Sequence, residues 1–399
     1  MDSTRIAELR AVYRDGLLND TLPFWIKHSV DRECGGFLTA LNRDGTVIDS
    51  DKGMWPQGRF TWLLGELYNH VEPRDEWLEL AIHGAKFLNR YGFDSSDGRM
   101  WFQVTREGQP LRKRRYAYTE SFAAIAYGEL FKATGEATYA EQATQAFERF
   151  VDHNLRPQDV QPKYTDVRPV RGLGFPMITI ATAQELRESI GLPTAERWID
   201  QSIQTIRSYH LHAEYECVLE TVGSQGEYID HFEGRTLNPG HAIEGAWFIM
   251  EEGRLRGDEP LIRTGCQMLD WSWARGWDPH YGGIFYFVDA KGLPVQEYWH
   301  DMKFWWPQNE TIIATLLAYS LTGDAKYAAW HQQIHDWAYR HFPDSEQGEW
   351  FGYLHRDGRL SSPLKGNLWK GPFHLPRMQL MGWRILDRLQ AQRLAEPTL

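Results

Sequence analysis

Thr322-Gly323-Asp324-Ala325-Lys326-Tyr327 is the stretch that decides the fold. A glycine able to enter the left-handed region stops one helix, and a carboxylate one residue later starts the next. The phrase recurs as Thr134-Gly135-Glu136 before Tyr139 and as Arg256-Gly257-Asp258 before Leu261. Looser copies are Arg74-Asp75 before Trp77 and Gly191-Leu192-Pro193. From positions 75 to 136, 194, 258 and 324 the steps are 61, 58, 64 and 66 residues. A period of roughly 60 residues running through a chain marks a repeat architecture.

The segments between these stops read as helices. Tyr139, Ala143, Ala146, Phe147 and Phe150 keep the i, i+3/i+4 spacing of one buried face, as do Tyr327, Trp330, Ile334 and Trp337. The pattern predicts twelve helices, over 3–28, 55–70, 75–91, 117–133, 137–153, 176–190, 195–209, 240–256, 259–275, 305–322, 325–341 and 374–393. Twelve helices in six hairpins make an all-α (α/α)6 barrel, with one helix of each pair inside and the other outside. No Pro/Ser-rich linker interrupts the period, so 1–399 reads as a single catalytic domain.

A second phrase recurs between helices. It reads Asp31-Arg32-Glu33-Cys34-Gly35-Gly36-Phe37, and again Asp278-Pro279-His280-Tyr281-Gly282-Gly283-Ile284-Phe285. Asp344 to Phe351 is a third copy, with weaker ones at Asp97 to Gly108 and Glu220 to Gly226. Each predicts a short aromatic β-hairpin closed by an Asp-Gly-type turn at one end of the barrel.

Composition narrows the function. The 399 residues carry 43 Lys+Arg against 54 Asp+Glu, a net charge of −11, and no basic stripe, which argues against a nucleic-acid partner. No run of about 18 apolar residues exists to span a bilayer. The N-terminus has no signal pattern, and Cys34, Cys217 and Cys266 lack metal spacing, so a cytoplasmic location is expected. The 18 Trp, 18 Tyr and 19 Phe exceed an ordinary share. Most must fill the core, and the remainder suit stacking on a sugar.

Polar residues cluster where inner helices follow the hairpins. Arg59, Glu120, His241, Glu310 and His374 each stand near the start of such a helix, so all point into one mouth of the barrel. His241 and His374 come from helices two places apart on a six-membered ring and can face one another. Two opposed imidazoles suit inversion at a carbon beside a carbonyl, one removing the proton and the other returning it. Arg59 or Arg377 can supply charge to the enolate oxygen. Glu244, three residues after His241, can set that imidazole's tautomer. Of Trp305 and Trp306, at most one faces substrate, and Trp305 is taken as that one. Glu120 reads as a supporting ion pair or cap beside the substrate site. His241 and Glu244 have no third ligand placed by spacing, so no metal is assigned. Lys365 to Gly371 reads as a solvated basic turn or substrate lid.

The segments Gly35-Gly36-Phe37, Trp55 to Trp62, Asn238-Pro239-Gly240-His241, Gly276-Trp277-Asp278, Gly282 to Phe287, Lys303 to Trp306, Gly348 to Tyr353 and Lys370 to Arg377 together resemble the N-acylglucosamine 2-epimerase (renin-binding protein) family. The likeness runs end to end. It implies an (α/α)6 barrel that interconverts N-acetylglucosamine and N-acetylmannosamine, with His241 and His374 as acid/base pair and Arg59, Glu310 and Arg377 essential around them. It implies a homodimer, no consumed cofactor, and ATP as an allosteric activator, although the Lys163 to Arg171 loop matches ATP-dependent members poorly. The sequence departs from the N-acetyl branch at Gln308, where that branch carries His and the cellobiose and mannose 2-epimerases carry Gln. A neutral-sugar 2-epimerase or aldose–ketose isomerase is the alternative. A glycoside hydrolase using Glu120 and Glu310, or a binding protein without activity, are readings of another class.

Overall fold

The computed structural model describes residues 1–114, 117–156, 165 and 167–395. The chain opens with α1 (Ser3–Gly16), which runs through a π-helical turn (Leu17–Thr21) into α2 (Leu22–Ser29). Inner and outer helices then alternate. They are α3 (Met54–His70), α4 (Asp75–Tyr91), α5 (Tyr118–Thr134), α6 (Ala137–Leu155), α7 (Gly174–Ile190) and α8 (Ala195–Thr205). After the single-turn α9 (Phe232–Arg235) come α10 (Pro239–Arg256), α11 (Glu259–Gly276), α12 (Trp305–Thr322), α13 (Ala325–His341) and α14 (His374–Ala395). Helices α3, α5, α7, α10, α12 and α14 follow one another around the inside, each backed by an outer helix. The outer partner of α14 is α1, so the two ends of the described chain lie together. Arg384 Nη1 of α14 reaches Glu66 Oε1 of α3 at 2.5 Å and closes the inner circle. This is the (α/α)6 barrel that the repeat predicts.

Burial separates the two layers. In α12 every residue from Trp305 to Ala318 is buried, as a helix enclosed on all sides requires. In α4 only one face is buried, through Trp77, Leu80, Ala81, Gly84, Ala85, Phe87 and Leu88. The repeated stops behave as read. Gly135, Gly191, Gly257 and Gly323 have φ of 72°, 65°, 64° and 70°. Asp258 and Asp324 accept hydrogen bonds from the N–H groups of Leu261 and Lys326. Observed boundaries lie within about two residues of the predicted ones, apart from the π turns that divide the first predicted helix into α1 and α2 and extend α8 to His210.

The hairpins are tied to their neighbours, which the sequence reading did not foresee. Strand β1 (Ala40–Leu41) pairs with β2 (Val47–Asp49), but β3 (Lys52–Gly53) joins β4 (Gln103–Val104) and β5 (Pro110–Arg112) of the next repeat. Strands β6 (Val170–Gly172), β7 (Leu211–His212), β8 (Cys217–Val218) and β9 (Thr221–Gly223) pair as β6 with β9 and β7 with β8. Strand β10 (Thr236–Leu237) pairs with β11 (Val288–Asp289). Strand β12 (Lys303–Phe304) joins β13 (Tyr353–Leu354) and β14 (Leu360–Ser362) of the repeat that follows. The double glycines are needed at the turns. Gly283 has φ 74°, and a Cβ there would meet the Trp337 ring at 2.8 Å.

Buried aspartates lock these ties. Asp31 holds Lys52 Nζ at 2.8 Å and Arg106 Nε at 2.9 Å. Asp278 holds Lys303 at 3.2 Å and Arg356 at 2.8 Å, and Asp344 holds Lys365 at 3.0 Å and Arg43 at 2.7 Å. Lys52 and Lys303 lie just ahead of the next inner helix and Lys365 in the loop leading to α14, while each arginine comes from a neighbouring hairpin. Lys365 and Lys370 are therefore buried, with Lys370 Nζ 2.7 Å from Glu349 Oε1. This corrects the reading of that loop as solvated. Burial alone would raise Asp31 and Asp278, but the Arg and Lys hydrogen bonds hold both well below the usual carboxylate range. At Asp344 the Arg43 hydrogen bond is the largest influence, and it too is held low. Carboxylates depressed in the folded state contribute stability above the unfolded value of about 3.9 and lose it as pH falls further. Melting temperature should therefore drop steeply below about pH 4, and Asp344→Asn should flatten that slope. A melting temperature equally acid-sensitive in the variant would contradict this origin.

Candidate active site

The hairpins and the inner-helix starts build one polar mouth. Asn238 caps α10 by accepting the His241 N–H at 3.1 Å, which sets His241 at the third position of the helix. His374 begins α14. The Trp306 ring lies between them, with its centroid 5.2 Å from the His241 ring and 5.7 Å from the His374 ring. The structure thus brings both predicted histidines to one indole. Trp306, not Trp305, occupies the position between them. Trp305 meets only His374, edge-on at 6.1 Å, and is otherwise packed on Tyr353. The reason is the helix turn, since α12 begins at 305 and the two adjacent side chains diverge.

Each imidazole rests on a carboxylate through Nδ1. His374 Nδ1 is 2.7 Å from Glu310 Oε1, and His241 Nδ1 is 3.0 and 3.1 Å from the two oxygens of Glu220. A carboxylate on Nδ1 places the proton there and leaves Nε2 for chemistry. The assignment of Glu244 to His241 is therefore corrected. Glu244 is instead bound to Arg377 Nη2, which also donates to Glu310 Oε1 at 2.7 Å. Glu310 is completed by Trp247 Nε1 at 2.8 Å. The sequence reading missed Glu220, although it marked that residue as the start of a weak turn phrase. Trp247 likewise gave no signal beyond its place one turn after Glu244.

Two electrostatic environments result. Burial disfavours charge on His241, but Glu220, supported by Glu244 and Glu310, outweighs it and raises the imidazole above its usual value. Burial and the Arg377 charge drive His374 well below its usual value. Arg59 lies on α3 with its guanidinium 4.1 Å from the Phe122 ring centroid, 4.5 Å from Phe373 and 5.3 Å from Trp55. Burial pushes it down to about 9, against the pull of Glu244 and Glu310, so it stays charged at neutral pH. Its Nε has no hydrogen-bond partner among the described residues; the Arg377 Nε has none either, but Arg377 Nη2 is taken by Glu244 and Glu310.

Glu120 takes the supporting role read for it rather than a place against substrate. Glu120 is buried and its Oε1 accepts the Met100 backbone N–H at 2.7 Å, which anchors the hairpin ahead of α5. Gln57 does the same for Phe37 and Gln308 for Ile284, each bonding both backbone groups. Glu120 is thus the copy of a structural position, and burial raises it despite the Met100 bond. Gln308 serves the same purpose and says nothing about substrate. With Glu120 so engaged and Glu310 holding His374, Arg377 and Trp247, the pair offers no hydrolase acid and base. Glu120→Gln should keep nearly full turnover, because an amide oxygen still accepts one N–H. Loss of turnover in that variant, with folding intact, would put Glu120 back in the site.

Donor atoms of Glu244, Glu310 and His374 lie within 4.8 Å of one another. The Arg377 guanidinium already bonds both carboxylates, so a side-chain cation fills that place. The Lys163 to Arg171 stretch lies partly outside the described residues. Among the described residues no helix is long and apolar enough to cross a membrane.

Comparison with known proteins agrees with this geometry. Residues 35–374 match the family model described as N-acylglucosamine 2-epimerase (GlcNAc 2-epimerase). The chain is 36% identical to the N-acylglucosamine 2-epimerase of Bos taurus, over 93% of this chain and 90% of that one. It is 25% identical to a cellobiose 2-epimerase of Bacteroides fragilis, over 90% and 95% of the two chains. The solved cellobiose 2-epimerase of Spirochaeta thermophila superposes with a TM-score of 0.83 at 22% identity, covering 97% of this chain and 98% of the other. By fold, end-to-end likeness and matched profile, this chain belongs to the N-acylglucosamine 2-epimerase family.

Proposed function

We propose that the protein is a sugar 2-epimerase that interconverts N-acetylglucosamine and N-acetylmannosamine. The observation that carries this is the pair of imidazoles on one indole, each with Nδ1 held by a carboxylate and Nε2 left for substrate. The relatives called N-acylglucosamine 2-epimerase are closer than those called cellobiose 2-epimerase, which supports the N-acetyl branch.

The pyranose opens first, because only the aldehyde acidifies the C2 proton. One imidazole Nε2 removes that proton. The C–H electron pair forms the C1–C2 double bond, and the carbonyl pair moves to oxygen as an enolate. Arg59 is the uncommitted cation near the pocket and supplies the charge that the enolate oxygen needs. The second imidazole returns a proton to C2 from the opposite face. Configuration inverts, nothing is oxidised or reduced, and the two histidines end with exchanged protonation.

A panel of N-acetylglucosamine, N-acetylmannosamine, glucose, mannose and cellobiose, with and without ATP, tests the reading. The resemblance implies ATP as an activator, and sedimentation of the same sample tests the implied homodimer. Turnover of the two N-acetyl sugars alone is expected. Turnover of the neutral sugars with the N-acetyl pair untouched would move the chain to the other branch.

A further inference from the structure

The two histidine–carboxylate pairs are not equivalent. Glu310 divides its charge among several donors. Its Oε1 takes His374 Nδ1 at 2.7 Å and Arg377 Nη2 at 2.7 Å, while Oε2 takes Trp247 Nε1 at 2.8 Å. Glu220 has both oxygens near one atom, His241 Nδ1, at 3.0 and 3.1 Å.

The backbone carrying Glu220 is fixed from three sides. The Leu219 N–H donates to the His210 carbonyl at 2.8 Å, and the His210 ring bonds the Leu219 carbonyl through Nδ1 at 2.7 Å. The Glu220 carbonyl accepts the Leu173 N–H at 2.8 Å, just ahead of α7. Thr221 then pairs with Gly172 in the β6–β9 ladder. A carboxylate held this firmly presents its charge without a large ordering cost.

We propose that Glu220 is a positioning residue that decides which imidazole holds the proton in the resting enzyme. It keeps the charge on His241 and leaves His374, screened by Arg377, as the neutral base. The inference rests on the epimerase reading for its consequence in catalysis, but not for the titration that tests it. Among the described residues, the other charged or titratable groups facing the pair include Glu244 on α10, Glu310 on α12, Arg377 on α14, Arg59 on α3 and, beside Glu220, His210, whose imidazole burial lowers. Tyr286 faces Glu220, and burial keeps its hydroxyl protonated.

The sign is fixed. An imidazole raised by a carboxylate carries its proton to higher pH. Removing the carboxylate charge moves the loss of that proton to lower pH, by about one unit for a close opposite charge. Activity that needs one proton on the pair must then fall at lower pH. Both directions share this profile, because their ratio equals a pH-independent equilibrium constant.

The experiment compares wild type, Glu220→Gln and Glu220→Asp. The His241 resonance, assigned by its disappearance in His241→Asn, is titrated by NMR without substrate. The basic limb of kcat/KM is followed with N-acetylmannosamine. In Glu220→Gln the His241 midpoint and the basic limb should both move down by about one pH unit, and Glu220→Asp should restore part of each. An unmoved His241 midpoint in folded Glu220→Gln overturns the proposal. A moved midpoint in an enzyme whose wild type acts on neither N-acetyl sugar upholds the role of Glu220 on His241 and overturns the N-acetyl substrate reading instead.

Discussion

His374→Asn is expected to abolish interconversion of the two N-acetyl sugars, by roughly a thousandfold or more in kcat. His241→Asn should do the same. The two losses should differ in kind. Each variant keeps one imidazole on one face of C2, so each can still exchange the C2 proton of one epimer with D2O. The epimer that exchanges in His374→Asn must be the one that does not in His241→Asn. This follows from the arrangement around Trp306, where the rings approach from α10 and α14 rather than from one helix. A single base serving both faces would leave one variant fully active. Asparagine is the right replacement, since it fills much of the imidazole volume and keeps a polar group toward the carboxylate. The fold should persist, with circular dichroism as the check.

Arg377→Met is expected to cost about 3–5 kcal/mol of folding stability, the range for breaking a buried ion pair from one side. Arg377, Glu244 and Glu310 are all buried, and one guanidinium serves both acids. Without it two carboxylates lack their counter-charge. Burial opposes charge on Arg377, yet Glu310 and Glu244 more than offset it, so the arginine stays charged over the working range. Burial is the main reason His374 stays neutral, and the same substitution removes the Arg377 charge that adds to it. His374 should then titrate at higher pH than in the wild type, which moves the acidic limb of the rate profile upward. Denaturant unfolding and the acidic limb of the rate profile measure the two effects. A stability change under about 1 kcal/mol would mean that water already compensates the acids.

The barrel was legible because its signals are local. A glycine at positive φ stops the inner helix at Gly135, Gly191, Gly257 and Gly323, and Asp258 and Asp324 cap the helices that follow. The positions of His241 and His374 were legible for a related reason, since the repeat places every inner-helix start at the same end. What stayed hidden depends on contacts between repeats. Asp31, Asp278 and Asp344 sit in a visible phrase, yet their partners Arg106, Arg356 and Arg43 come from neighbouring hairpins, and no spacing rule names them. Glu244 was assigned to His241 because they share a helix face, but Arg377 lay across the barrel and took it. Glu220 lies 21 residues before the histidine that it holds, on a hairpin stitched to α7. Glu120 looked functional because it is polar and stands at a helix start, and Gln308 because the resemblance sets it apart from the N-acetyl branch. Their work is to hold the backbone of Met100 and Ile284.

The most direct measurement is proton NMR of the wild-type enzyme acting on N-acetylmannosamine in D2O. Newly formed N-acetylglucosamine should carry deuterium at C2, and no ketose should appear at any time. Product that keeps its original C2 hydrogen, or a ketose accumulating alongside it, would contradict the transfer of a proton between two imidazoles across one carbon.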